Sequence, residues 1–270
     1  MGAVRDMVTE HTIDLSTSKG HYFETGRGYP TILVHGSGFS SGGQDWFPVI
    51  KEGLGEVTHI YAIDQLGWGS VERPQRDYEF AFLVDHIREF QDVLGYEKTN
   101  VVGHSLGGWV AATLAYESPD RVNKLVCVAN AGLNIAPPPN FANFVPPDAA
   151  QIAADLEHME DPELRAEVLA AHLANGATAD ALDSYRSLGA MFRDMDMRRR
   201  YFLHRKLTRI KVPTLMVFGD EDLIFPSPEG RAQMDNEIPD SRAVLLKNTG
   251  HQIPTQRPKE LAALLKDFLR

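Results

Sequence analysis

Five short segments of this chain are rich in Val, Ile and Leu and show little polar alternation: "TILVH" (31–35), "THIYAID" (58–64), "NVVGH" (100–104), "KLVCVA" (124–129) and "PTLMVFG" (213–219). Runs of that length and character suit strands covered on both faces, the condition found inside parallel sheets. "RAVLLKN" (242–248) extends the series, while "HTIDL" (11–15) and "HYFET" (21–25) are more polar and suit an edge. Helical patterns lie between the strands. Leu83, Ile87, Phe90 and Leu94 recur at spacings of four, three and four along 80–94, which is one face of an amphipathic helix. Segment 106–117 is Ala-rich and stops before Pro119, and 258–270 opens on Pro258 with Leu261, Leu264, Leu265 and Phe268 on one side. Strands alternating with helices predict an α/β fold: an eight-stranded, mostly parallel, doubly wound sheet.

The alternation breaks between about 136 and 208. "APPPNFANFVPP" (136–147) holds five of the sixteen prolines, and helix-forming residues without a strand follow it. The expected organisation is a core domain made of 1–135 and 209–270, with 136–208 inserted as a helical lid entered through a stiff linker.

"NVVGHSLGGWV" (100–110) carries Gly103, Ser105 and Gly107 as Gly-x-Ser-x-Gly between a buried-type strand and a helix. A tight strand-to-helix turn crowds its backbone, so small residues flank the serine. The turn lifts the hydroxyl clear of the sheet at a helix start, where amides favour developing negative charge. A serine needs a base to become a nucleophile. Of ten histidines, His251 in "NTGHQIP" follows the last strand directly and reaches the carboxyl edge of the sheet, where ligands gather in open α/β folds. His35 and His104 read as local hydrogen-bonding residues, and the other seven as surface or satisfied core groups. The histidine needs an acid, expected at a strand end between Ser105 and His251. The end at 127–134 has none, whereas "VFGDEDLIFP" (217–226) has Asp220, Glu221 and Asp222. Three adjacent carboxylates in a turn rarely converge and no EF-hand loop is present, so no metal is expected. Oxyanion donors are expected from the amides of Leu106 and Ser37, the latter in the Gly-rich "HGSGFSSGG" (35–43), with Gly38 as the neighbouring alternative.

Taken in order, "HGSG" (35–38), "DQLGWGS" (64–70), "GHSLGG" (103–108), "GDED" (219–222) and "GH" (250–251) make the chain resemble the α/β-hydrolase family over nearly its whole length. The resemblance implies a Ser105–His251–Asp222 triad. It selects Asp222 because the family pattern is Gly-x-x-Asp with Pro four residues on, matching Gly219, Asp222 and Pro226. It makes Asp64 part of a structural turn. A serine nucleophile speaks against the haloalkane dehalogenase and epoxide hydrolase branches. "HGSGFSSGGQDW", with Trp46 eleven residues after His35, is similar to the loop of meta-cleavage-product hydrolases, which split carbon–carbon bonds. "LANGATADALDSYRSL" (173–188) is similar to their lid, whose substrate-binding arginine has its nearest match, offset by about one position, in Arg186. Two positions depart from that group: His104 stands where Asn precedes the serine, and Gln252 where Trp follows the histidine. Gly36, Gly38, Arg186 and Trp109 are the candidate substrate contacts.

Three functions follow as expectations. The first is a cofactor-free serine hydrolase acting on a small-molecule ester or lactone. The alternative is a carbon–carbon bond hydrolase acting on a vinylogous diketone acid. The third is a ligand-binding, receptor-like protein with little turnover. The net charge of −10 disfavours nucleic acid or an anionic membrane as partner. No apolar run reaches the ~20 residues of a membrane span, and the lone Cys127 reads as a core residue. A cytoplasmic monomer or homodimer is expected, and "MRRRYFLHRK" (197–206) reads as a solvated helix face.

Overall fold

Eight strands join in one sheet in a computed structural model that describes residues 4–16, 18–71, 79–133, 143–178, 181–224 and 226–270. They are β1 (Thr9–Asp14), β2 (Lys19–Gly26), β3 (Pro30–Val34), β4 (His59–Ile63), β5 (Thr99–His104), β6 (Val122–Val128), β7 (Thr214–Gly219) and β8 (Ser241–Leu246). Their spatial order is β1-β2-β4-β3-β5-β6-β7-β8. β1–β2 and β2–β4 are antiparallel, and every other neighbouring pair is parallel. The eight-stranded, mostly parallel α/β fold expected from the sequence is the one formed. Edge position differs in one respect. β1 is an edge, but β2 is paired on both sides, and the second edge is β8, which is half exposed despite its apolar sequence.

The helices are α1 (Phe47–Lys51), α2 (Phe80–Val93), α3 (Leu106–Glu117), α4 (Ala149–Asp155), α5 (Pro162–Gly176), α6 (Ala181–Arg193), α7 (Met195–Tyr201), α8 (Pro228–Glu237), α9 (Ile253–Gln256) and α10 (Pro258–Leu269). Successive residues on the inner strands point to opposite faces, and two cores result. Ile32, Val34, Val101 and Met216 pack against Leu83, Ile87 and Val110 of α2 and α3. Leu33, Val102, Val126 and Leu215 pack against Val49 of α1 and Leu261 and Leu265 of α10. Helices therefore cover both faces, which is why the inner strands read as continuous apolar runs. Cys127 is buried and free, and burial pushes its thiol up to about 12.

Four helices, α4 to α7, lie between β6 and β7 with no strand among the described residues. Local chemistry sets their starts. Asp148 and Gln151 form a capping box before α4. Asp161 caps α5 ahead of Pro162, and Asp194 accepts from the Met197 amide at α7. Each cap satisfies amides that the first turn leaves unpaired. Residues 134–142, which hold the expected boundary and most of the Pro-rich linker, lie outside the described residues.

Candidate active site

Ser105 sits between β5 and α3 with φ 53° and ψ −115°. A non-glycine residue at positive φ costs of order 1–3 kcal/mol and persists where surrounding structure imposes it. Here the imposing contacts are visible. The Ser105 amide donates to the Val128 carbonyl at 2.9 Å, and the Ser105 carbonyl accepts from Ala131 at 2.9 Å. A Cβ at Gly103 would meet the Gly107 carbonyl oxygen at 2.2 Å, and one at Gly107 would meet the Val34 oxygen at 2.4 Å. The small residues flanking the serine are thus required by backbone contact.

His251 follows β8 and turns Nε2 to within 3.0 Å of Ser105 Oγ. Its Nδ1 lies 2.8 Å from Asp222 Oδ2. The other Asp222 oxygen accepts from the Ile224 amide at 2.8 Å. Gly219 allows this meeting, because a Cβ there would stand 2.2 Å from the Thr249 carbonyl oxygen. The two loops therefore touch at their backbones, and Asp222 reaches the ring across them. The three adjacent acids diverge. Asp220 pairs with Lys247 and the Thr249 amide, Glu221 is exposed, and only Asp222 meets His251.

His104, the residue before the serine, is buried and donates through Nε2 to the His251 carbonyl at 2.9 Å. Burial, then the nearby His251 ring, pushes its pKa down to about 3, so it is neutral near pH 7. It fixes the backbone at His251. His35 has a related part. Its Nδ1–H donates to the Gly36 carbonyl at 2.7 Å, while Nε2 accepts from the Gln65 amide at 3.0 Å. A peptide is planar and trans, so pinning the Gly36 carbonyl also sets the direction of the Ser37 N–H. Trp68 Nε1 similarly fixes the Gly38 carbonyl at 2.9 Å. Asp64 holds turns rather than facing Ser105: it accepts from the Gly43 and Ser70 amides at 2.7 and 2.9 Å and pairs with His21 at 2.8 Å. Among the described residues, neither the Ser37 nor the Leu106 amide donates a hydrogen bond within the chain.

Two candidate contacts are placed differently from expectation. Trp109 is enclosed between α3 and the inserted helices, with its indole N–H donating to the Tyr201 carbonyl at 2.8 Å and its ring against Phe80, Phe192 and Phe202. A tryptophan so occupied is packing material, not a free substrate contact. Arg186 is exposed on α6, and its neighbour Tyr185 is the residue that turns inward, onto Phe39 and Phe144. Gly36 is buried beside Ser105, with room for a Cβ only 3.2 Å from the serine's own, and Gly38 is exposed. His172 and Asn175 carry no site signal in the sequence, yet both hold the Ser37-bearing loop. Spacing gives no signal for them, since their partners lie more than a hundred residues away.

An open, mostly parallel sheet with a serine raised at a strand-to-helix turn, and a histidine and acid at the ends of later strands, defines an α/β-fold hydrolase. The chain belongs to the alpha/beta hydrolase family, whose model matches residues 31–264. It is similar to a 2-hydroxy-6-oxo-6-(2'-aminophenyl)hexa-2,4-dienoic acid hydrolase of Metapseudomonas resinovorans, 24% identical over 96% of this chain and 90% of that one. It is also similar to the human monoacylglycerol lipase ABHD6, 27% identical over 89% of this chain and 75% of that one. Among solved structures, 2-hydroxy-6-oxo-6-phenylhexa-2,4-dienoate hydrolase from Rhodococcus sp. strain RHA1 superposes with a TM-score of 0.81 at 22% identity, covering 97% of this chain and 99% of that one. The protein is an enzyme of the α/β-hydrolase kind, with a partial resemblance to the meta-cleavage-product hydrolases.

Proposed function

We propose that the protein is a cofactor-free serine hydrolase that cleaves a small-molecule ester or lactone through an acyl-enzyme. The chain of contacts from Ser105 Oγ to His251 Nε2 at 3.0 Å, and from His251 Nδ1 to Asp222 at 2.8 Å, carries this reading. Ser105 attacks the carbonyl carbon while His251 takes its proton, and Asp222 orients the ring and stabilises its protonated form. The amides of Leu106 and Ser37 meet the oxyanion. The tetrahedral intermediate collapses as His251 returns the proton to the leaving alcohol. Water, deprotonated by the same histidine, then releases the acid. The insertion 136–208 acts as a lid over the carbonyl.

Cleavage of a carbon–carbon bond in a vinylogous diketone acid is the second reading. It is favoured by the similarity along most of the chain to the dienoic acid hydrolase of M. resinovorans. The ester reading asks less of the site, since the triad and oxyanion donors suffice and no ketonisation of the substrate is needed. The test is a side-by-side assay of a nitrophenyl ester, a lactone and a coloured dienone acid, each with the wild type and Ser105→Ala. Turnover of the ester or lactone that Ser105→Ala abolishes supports the proposal. Turnover of the dienone acid alone transfers it to the second reading.

A further inference from the structure

A second serine, histidine and aspartate meet in this molecule, away from Ser105. His172 of α5 places Nε2 2.9 Å from Asp45 Oδ1 and Nδ1 3.0 Å from Ser40 Oγ. The Asp45 carboxylate accepts from Nε2–H, which leaves Nδ1 to pair with the hydroxyl. One turn further along α5, Asn175 donates through Nδ2 to the Ser40 and Ser41 carbonyls at 3.2 and 3.4 Å. The ring is attached to its acid by the nitrogen opposite to the one His251 uses, and both groups are largely enclosed. The arrangement is a clamp and not a second nucleophile.

Its target is the loop that carries the Ser37 amide. That loop is glycine-rich and runs from 35 to 42 without helix or strand, with one turn closed by the Ser41 amide on the Gly38 carbonyl at 3.1 Å. The core fixes its first residues and its far end: His35 pins the Gly36 carbonyl, Trp68 the Gly38 carbonyl at 2.9 Å, and Asp64 the Gly43 amide at 2.7 Å. The stretch between, 39–42, is gripped from α5. Gly42 sits so close that a Cβ there would lie 2.9 Å from Asn175 Nδ2, and one at Gly176 would lie 3.4 Å from the Phe39 ring. Phe39 also packs edge-on against Tyr185 of α6 with ring centroids 5.5 Å apart. Burial works against the Asp45 charge. His172, with smaller contributions from His35 and Ser41, outweighs that and holds the carboxyl below the usual carboxylate range.

We propose that His172 and Asn175 of the inserted helix α5 are positioning residues that brace residues 40–45 and, through them, steady the Ser37 amide that His35 and Trp68 orient from the core, so that the insertion completes the catalytic apparatus as well as covering it. The inference rests on the serine-hydrolase reading above. Oxyanion donors act only if they are fixed before charge develops, and the loss of one such donor lowers kcat by about a hundredfold to a thousandfold. A loosened donor lowers it less.

The experiment measures kcat and KM on a nitrophenyl ester for the wild type, His172→Leu, His172→Gln and Asn175→Ala, together with the Ki of a trifluoromethyl ketone, which forms a tetrahedral oxyanion on a serine. The clamp predicts a fall in kcat of about tenfold or more in His172→Leu, a rise in Ki by a similar factor, and little change in KM. His172→Gln keeps a donor towards Asp45 and recovers part of the loss. Where His172→Leu does not fold, Asn175→Ala carries the same comparison, because it removes only the two carbonyl contacts. Unchanged kcat and Ki in folded variants, with melting temperature alone lowered, overturn the clamp and leave α5 a purely structural seat. A wild type that neither turns over the ester nor binds the ketone overturns the serine-hydrolase reading itself, and the clamp with it.

Discussion

Asp222 gives one oxygen to His251 and the other to the Ile224 amide, so its carboxylate is fixed by the turn it sits in. Asp220 and Glu221, two residues and one residue away, have no such connection. Asp222→Asn is therefore expected to lower kcat by orders of magnitude, about 10⁴ where a triad acid is lost in this way. Asp220→Asn and Glu221→Gln should change it by a few-fold at most. Steady-state assay of the three variants on one ester checks the ranking, and the opposite order contradicts the assignment. Sequence patterning alone left the three acids open, because a turn of adjacent carboxylates has no period to separate them. The resemblance chose Asp222, and the geometry supplies a physical reason for that choice: Gly219 lets the two loops touch, and the residue three positions on faces the ring.

At the scale of elements, the turn around Ser105 and the contact between the β7 and β8 loops both depend on missing side chains. Gly107→Ala brings a Cβ to 2.4 Å from the Val34 oxygen, and Gly219→Ala to 2.2 Å from the Thr249 oxygen. Neither neighbour is a flexible side chain, so overpacking of about 1–3 kcal/mol is expected in each. Gly219→Ala should also separate Asp222 from His251. Thermal melting and kcat, measured together, distinguish the two: a Gly219→Ala protein that melts normally and is fully active contradicts the role given to this contact. The parallel strands and helices α2, α3 and α10 were legible because each has one dominant period or a continuous apolar run. The position of β2 was not, since a strand paired on both sides can still be polar near a sheet edge. Nor were the inward turn of Tyr185 and the enclosure of Trp109, which are decided by contacts among the inserted helices and not by local pattern.

Buried histidines set how the whole molecule responds to acid. Burial, first among the causes, pushes His104 down to about 3 and His86 down to about 4. Both pKa values are depressed below the unfolded value of about 6.5, so the unfolded chain binds protons that the folded one refuses. Stability is then complete above about pH 6.5 and is lost progressively as pH falls towards 4, by about 2 kcal/mol per ring at pH 5. His21 runs the other way. Burial opposes its charge, but Asp64 and Glu10 raise its pKa, so its contribution is present below about pH 6.5 and lost as pH rises through the folded value. Denaturant melts between pH 5 and 7 check the acid limb, and His86→Gln, if folded, should flatten it. The insertion is the part of the molecule least legible in the sequence. Its partners on the core lie far away along the chain, as with His172 and Asp45, which are 127 residues apart. Everything proposed for catalysis passes through one hydroxyl, and its reactivity can be read directly. Treating the wild type and Ser105→Ala with a fluorophosphonate probe, followed by mass mapping, should give a single adduct on Ser105 in the wild type and none in the variant. An unlabelled wild type, or an adduct elsewhere that Ser105→Ala retains, would contradict the account.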